Sequence, residues 1–468
     1  MKREELKIRK RTINSVQRLV ERDEQHEKMD VEVPAPKMGL FCFFHRSCSK
    51  ARCILASVIA LLNDLKESFK CTCGKVHSVP NIEIVFEENA FKHIDDFFEN
   101  ATYLVDGNTA KLVRTCPART IQLEGSGRVL ATMENVEKAM SQIKSDLFVS
   151  VGSGSLTDVA KYAAHLSGKS FSCFPTAPSV DGYTSCVAAI LVNGEKTTAQ
   201  AVVPKKVVVD MTILSEAPID LLRAGIGDIA AKVTARLDWM LSNLLIGEAI
   251  CEFAWKQLRD ELEVVLDDSK RVLDRSKEAV LRLMNALLVS GLNITIVGNS
   301  RPASGAEHLI SHTLEMYHEA RNEIPPFHGL SVAMGTYVTF KAYRVIFEDV
   351  RLKRTCLTNE ERYHVLSDFF GEEKAKRFMN LYERKIAPKQ IDLDHVRRTL
   401  KPTYEKFLEK VESALETIRV EELFAQYDPE FIVRLILVSN TIRERCTVLD
   451  LLDQLCLLKD FARKVFEV

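Results

Sequence analysis

Residues 147–162, Leu147-Phe-Val-Ser-Val-Gly152-Ser-Gly154-Ser-Leu-Thr-Asp158-Val-Ala-Lys-Tyr162, read as a short buried strand, a glycine-rich turn and the opening of a helix. Glycines at 152 and 154 let the backbone approach a pyrophosphate closely, and the first N–H groups of the helix, with its dipole, favour an anion. The turn lacks the third glycine of the full dinucleotide fingerprint, so it also admits a plain structural reading in which Ser155 or Thr157 caps the helix.

Outward from this turn, short β-rich runs recur at Ile82–Phe86, Thr102–Asp106 and Val207–Asp210, separated by helical segments. Such alternation predicts a mainly parallel, doubly wound α/β sheet. Beyond about residue 219 the pattern becomes almost wholly helical. Through 249–292, for example, apolar residues return every three or four positions in a charged background. The expected organisation is an N-terminal extension over 1–70, an α/β nucleotide-binding domain over 71–218 and an all-α metal- and substrate-binding domain over 219–468, with the site in the cleft between domains. Within the extension, 1–30 reads as an exposed amphipathic helix or frayed tail and 31–38 as a proline-marked linker. The remainder, to about Lys70, reads as an apolar segment packed on the main body.

The 468 residues are 46% hydrophobic and 28% charged, enough for a large core. With 64 basic and 65 acidic residues, the chain has no global field to recruit nucleic acid or an anionic membrane. The apolar window Cys53–Leu62 is far shorter than the roughly 20 residues that cross a bilayer, so neither a transmembrane segment nor a secretory signal is expected. Twelve cysteines, mostly beside apolar residues, fit reduced thiols in a cytoplasmic protein better than a disulfide framework. Cys71, Cys73 and His77 offer three soft ligands within one short segment. No second Cys or His pair follows at structural-zinc spacing, so the sequence reads against a zinc knuckle there.

Three further segments carry chemistry. Asp106-Gly-Asn108-Thr109 closes a strand, where Asp106 or Asn108 can reach a nucleotide ribose or base, or simply form an Asx turn. Phe174-Pro-Thr176-Ala-Pro-Ser179-Val-Asp181-Gly-Tyr-Thr-Ser185 is a rigid polar loop. Its hydroxyls can hold a nicotinamide or a substrate hydroxyl, while Asp181 can accept from a polyol; a satisfied turn is the alternative. Finally, Gly225-Ile-Gly-Asp228-Ile-Ala-Ala-Lys232 places a carboxylate near a helix start, Ser304-Gly-Ala-Glu-His308-Leu-Ile-Ser-His312 puts two histidines on one helix face, and Phe327-His328-Gly supplies a third. One Asp and two His with open coordination positions suit zinc, iron or nickel acting as a Lewis acid, although each residue alone has a structural explanation.

In this order and spacing, CTCGKVH, DGNT, VGSGSLTDVAKY, PTAPSVDGYTS, AGIGDIAAKVTARLDW, GNSRPASGAEHLISH, FHGLSVAMGT and IRERCTVLDLL resemble the sn-glycerol-1-phosphate dehydrogenase family. That family lies within the superfamily of glycerol dehydrogenases, iron-containing alcohol dehydrogenases and dehydroquinate synthases. The resemblance runs from about Cys71 to the C-terminus and implies a dehydroquinate synthase-like fold. It implies metal ligation by Asp228, His308 and His328, with cofactor contacts from Asp106, Gly152, Gly154, Ser155, Asp158, Thr176 and Ser179. Asp181, Ser185, Lys232 and His312 then face the substrate, Ser185 also lying within reach of the cofactor and Asn108 beside it. His312 is the expected proton relay and Lys232 the expected contact for the substrate phosphate.

The resemblance further implies one divalent ion per subunit (Zn, or Ni or Fe), NAD or NADP, and reversible reduction of dihydroxyacetone phosphate to sn-glycerol 1-phosphate. A homo-oligomer, with a dimer favoured, is expected. The competing readings are a glycerol dehydrogenase, a dehydroquinate synthase-like enzyme, or a catalytically silent relative that acts as a binding protein.

Overall fold

A computed structural model describes residues 68–113, 117–125, 128–348, 350–385 and 391–468. The expectations for the amphipathic helix, the linker and nearly all of the following apolar segment fall outside the described residues.

Near the start of the described chain, β1 (Ser68–Lys70) and β2 (Val76–Ser78) form a small antiparallel hairpin. The strands β3 (Glu83–Glu87), β4 (Thr102–Val105), β5 (Thr120–Gln122), β6 (Leu147–Gly152), β7 (Ser170–Pro175) and β10 (Lys206–Asp210) make one sheet in the order β3-β10-β7-β6-β4-β5. Every pairing in it is parallel, as the alternating pattern predicted. Central strands of such a sheet are covered on both faces, which is why Phe148, Val149 and Val151 are all fully buried and β6 reads as a nearly continuous apolar run. Two helices on this sheet bear on the site: α1 (Met133–Met140) and α2 (Gly154–Leu166). Because β6 and β7 run parallel with Gly152 beside Pro175, the glycine turn and the proline-rich loop leave the sheet side by side at its carboxyl edge. Ligands of open α/β sheets bind at that edge.

Between β7 and β10 the chain forms a second antiparallel hairpin, β8 (Val187–Val192) with β9 (Glu195–Gln200). Its turn is Asn193-Gly194, both with positive φ, the usual chemistry of a tight hairpin turn. The sequence reading missed this element although the Asn-Gly signal was present.

After Pro218 the described residues are helical apart from connecting segments. The elements around the site are α3 (Ile219–Ile246), α4 (Glu252–Asp267), α5 (Lys277–Val297), α6 (Ala306–Glu319), α7 (His328–Phe347) and α8 (Leu393–Thr417). Helix α3 is buried almost all round from Leu222 to Ser242, so its polar residues Asp228, Lys232 and Asp238 must find partners inside the protein. Two glycines permit close approach here. A Cβ on Gly225 would lie 1.8 Å from the Pro178 carbonyl oxygen, and one on Gly329 would lie 1.9 Å from that of Ala224. The proline-rich loop and the start of α7 therefore both pack directly against the backbone of α3.

Helix α5 is long and apolar enough to cross a bilayer by composition, but 89% of its apolar window is buried inside the protein, as in a core helix. One cysteine pair departs from the expectation of reduced thiols: Cys356 and Cys456 are disulfide-bonded across a separation of 100 residues. Apolar neighbours in sequence report burial, not which thiols meet in space.

Candidate metal and cofactor site

The proline-rich loop, the third turn of α3, helix α6 and the start of α7 converge on one point. There Asp228, His308 and His328 each offer a ligand atom, all within 4.8 Å of one another. Helix α3 begins at Ile219, so Asp228 lies inside the helix and not in its first turn as the sequence suggested. Asp228 is fully buried, and its Oδ1 lies 3.7 Å from Nε2 of His308. A carboxylate holds the far nitrogen of each ring: His308 Nδ1 lies 2.9 Å from Glu307 Oε1, and His328 Nδ1 lies 2.6 Å from Glu315 Oε1. An ionised carboxylate only accepts, so Nδ1 donates in both rings, and in the neutral His308 ring Nε2 keeps its lone pair. Carboxylates placed in this way fix the tautomer and raise the basicity of metal-binding imidazoles. The donor set therefore fits a divalent ion of the zinc, nickel or iron kind.

The electrostatics of the cluster follow from burial. The Lys232 ammonium, itself fully buried, donates to Asp228 Oδ1 at 2.9 Å and lies 2.8 Å from Asp181 Oδ2. Burial raises the pKa of Asp228 against the pull of Lys232, whereas at Asp181 burial is outweighed by Lys232 and the pKa falls. Burial holds His308 and His312 well below 6.5, so both rings are neutral. At His328 burial acts the same way but the Glu315 charge overcomes it and raises the pKa. Burial would raise Glu315 as well, yet Lys196 on β9 and His328 hold it well below the usual range.

The remaining residues singled out in the sequence lie around this cluster in different ways. His312 stacks near His328, with ring centroids 5.9 Å apart, and stands outside the ligand set; its buried Nδ1 has no hydrogen-bond partner. Asp181 donates its backbone N–H to Asp228 Oδ2 at 2.8 Å and accepts from Ser290. Gly154, Ser155, Asp158, Ser179, Asp181 and Ser185 line one cleft together with His328. Ser153, the residue before α2, makes no side-chain cap, so the first N–H groups of that helix are left without one; Ser155 and Thr157 lie inside the helix, so the alternative reading of either as its cap does not hold. Leu156 fills the space beside Gly152, where a Cβ would meet it at 2.3 Å, and Val180 does the same at 2.8 Å for Gly154. These glycines therefore answer packing as well as access. Thr176 bonds through its N–H to the Gly152 carbonyl at 3.1 Å, joining loop to turn. Asp106 accepts from the N–H groups of Asn108 and Thr109 at 2.9 and 3.0 Å, an Asx turn at the carboxyl end of β4, with Asn108 exposed.

Two of the side chains expected to face the substrate have partners within the protein. Two carboxylates and the Ala303 carbonyl surround the Lys232 ammonium. The Ser185 hydroxyl, on the wall of the same cleft, donates to the Gly182 or the Val187 carbonyl and lies 3.1 Å from Lys161 Nζ.

Five residues of the site escaped the sequence reading. Lys161, fully buried, fixes the loop by bonding the Gly182 and Val187 carbonyls; its place two turns into the helix that follows the glycine turn was the available signal. Glu307 adjoins His308 in sequence and Glu315 follows His312 by three residues, but neither spacing reveals which ring nitrogen it meets. Arg443 and Arg445 come from beyond Asn440 and line, with Thr198, Ser300, Leu309 and His312, a cavity of about 580 Å³. Among the described residues neither guanidinium has a carboxylate within 4.0 Å; Arg445 bonds Ser300 at 2.8 Å and Arg443 the Lys196 carbonyl at 2.8 Å. Burial, with Arg301 adding repulsion, brings Arg445 down to about 9.

Comparison with known proteins places the arrangement. The iron-containing alcohol dehydrogenase family model matches residues 84–218. The chain is similar to a Bacillus licheniformis protein named glycerol-1-phosphate dehydrogenase (NAD(P)+), 32% identical over 308 residues that cover 60% of this chain and 77% of that one. It is 30% identical to the Bacillus subtilis protein of the same name over 305 residues, covering 61% and 77%. In fold it is similar to the crystal structure of an archaeal halo-thermophilic Red Sea brine pool alcohol dehydrogenase, with a TM-score of 0.53, 15% identity, and coverage of 86% of this chain and all of that one. The chain belongs to the glycerol-1-phosphate dehydrogenase family.

Proposed function

We propose that this protein is a metal-dependent, NAD(P)-linked sn-glycerol-1-phosphate dehydrogenase that interconverts dihydroxyacetone phosphate and sn-glycerol 1-phosphate. The observation that carries the reading is the convergence of Asp228, His308 and His328, both rings locked by carboxylates, between a helix-start cleft and an arginine-lined cavity. The named relatives give the substrate and cofactor class.

The three ligands would hold a divalent ion, which supplies Lewis acidity toward a substrate oxygen while a bound nicotinamide gives or takes hydride. The chain's own residues do the rest. The opening N–H groups of α2 with Ser155 and Ser179 bind and orient the dinucleotide. Asp181, fixed by Lys232 and Ser290, accepts from a substrate hydroxyl. His312 is neutral with an unpartnered Nδ1, so it can hold or pass the proton that joins or leaves the reacting oxygen. Arg443 and Arg445 bind the phosphate, the role the sequence reading had given to Lys232; guanidinium forks suit phosphate oxygens. The nucleotide-binding part is taken as 71–218 and the helical part as 219–468, divided at Pro218 where α3 begins.

The test is the initial rate of NADH and NADPH oxidation by metal-loaded protein with dihydroxyacetone phosphate, set against dihydroxyacetone and, in reverse, free glycerol. Turnover that needs the phosphate ester supports the reading. Preference for free glycerol, or no turnover with any of them, overturns it.

A further inference from the structure

A second group of ligating side chains lies at the β1–β2 hairpin and shares no residue with the dehydrogenase site. Cys71, Cys73, His77 and Cys251 bring one ligand atom each to a point, all within 4.8 Å of one another. We propose that these four residues form a structural zinc site that fastens the hairpin to the start of α4.

The geometry is that of a tetrahedral cage. With Zn–S near 2.3 Å and Zn–N near 2.0 Å, a tetrahedron has S···S edges of about 3.8 Å and S···N edges of about 3.5 Å. Cys71 Sγ lies 3.7 Å from Cys251 Sγ, Cys73 Sγ lies 3.2 Å from His77 Nε2, and Cys251 Sγ lies 3.4 Å from the same nitrogen. Three thiolates and an imidazole are a soft donor set that selects zinc over the hard cations, and four protein ligands leave no open position for catalysis. The local fold presents them. Gly74, with φ of 85°, turns the chain so that its N–H bonds the Cys71 carbonyl at 3.0 Å, and His77 sits opposite Phe69 in the hairpin. Cys251 immediately precedes α4.

The energetic need is equally specific. Two three-residue strands form no stable hairpin alone. Here Phe69 meets Phe253 with ring centroids 4.8 Å apart, and Cys71 and Cys73 lie against a small cluster of Trp239, Cys251, Ala254 and Val297. Binding free energy of a structural zinc is folding free energy, and it would hold this hairpin in place.

Full-length protein reconstituted with cobalt tests the proposal directly, because the dehydrogenase ligands are oxygen and nitrogen only. We expect two equivalents of metal per chain and an intense sulfur-to-cobalt charge-transfer band in the near ultraviolet. The band should persist in His308→Ala, which empties the other site, and vanish in Cys73→Ser and Cys251→Ser with loss of one equivalent. Wild-type protein that lacks the thiolate band, or that holds a single equivalent removed entirely by His308→Ala, overturns the proposal. So does a Cys71–Cys251 disulfide found by mass spectrometry under non-reducing conditions. The wild-type spectrum decides the matter even where a cysteine variant fails to fold.

Discussion

Glu315 of α6 holds Nδ1 of His328, the first residue of α7, at 2.6 Å. The same carboxylate is itself paired with Lys196 of the β8–β9 hairpin at 3.0 Å, so three elements share responsibility for the orientation of one ring. Removal of such an outer partner ordinarily costs about 10–100-fold in metal affinity. Glu315→Gln should therefore weaken zinc binding at the dehydrogenase site by about that factor, and Glu307→Gln should do likewise through His308. Competition with a chromophoric chelator measures it. Unchanged affinity in both variants would show that neither carboxylate supports the ligands.

Lys232 stands between two buried carboxylates. Deleting one partner of a buried ionic cluster ordinarily destabilises by about 3–5 kcal/mol because the remaining charge is left without compensation. Lys232→Met in metal-free protein should lower unfolding free energy in urea by about that amount, since Asp181 and Asp228 would then face each other alone. A loss below about 1 kcal/mol would mean that one of the two acids is already protonated in the native state.

Under the proposed function, Arg443 and Arg445 are the groups that distinguish the phosphate ester from the unphosphorylated substrate. A hydrogen bond to a charged group is worth about 1.5–3 kcal/mol, which corresponds to roughly a 10–100-fold change. Each alanine variant should raise KM for dihydroxyacetone phosphate by about that factor, with a smaller change in kcat. Steady-state kinetics check this, and a KM that stays constant in both variants would move the phosphate elsewhere.

A pH effect is expected at Asp238, whose carboxylate accepts from Tyr343, Ala306 and Val448 at 2.6–2.8 Å. Burial, together with the charge of Glu307, outweighs those bonds and raises its pKa to about 7 from 3.8. A raised folded-state pKa means that the native protein binds a proton more tightly than the unfolded chain. Its contribution to stability is thus complete below pH 3.8 and is lost as the pH rises through about 7. The difference in stability between the wild type and Asp238→Asn, followed by denaturant titration, should shrink over that interval. A difference that grows with pH would show the carboxylate to be charged throughout.

Much of this protein could be read from the chain alone. The alternation of short apolar β-rich runs with helical segments predicted the parallel sheet, and the recurrence of apolar residues every three or four positions predicted the helical second part, because both are local consequences of which faces are buried. Motif order brought Asp228, His308 and His328 into one hypothesis, and the spacing of His308 and His312 put both on one face of α6. The Asn193-Gly194 turn was legible too, though unread.

Other decisions belonged to the tertiary structure, because they depend on side chains that meet only after distant segments pack. No spacing says that Glu307 takes Nδ1 of His308, that Lys232 is enclosed by two acids, or that arginines at 443 and 445 supply a cavity beside His312. The division of metal ligand from proton relay within the His308–His312 pair came from the family resemblance, not from the spacing. The cysteines show the limit most clearly. The sequence offered Cys71, Cys73 and His77 as an incomplete set. The fold brings up Cys251, 174 residues beyond His77, because the hairpin packs where α4 begins.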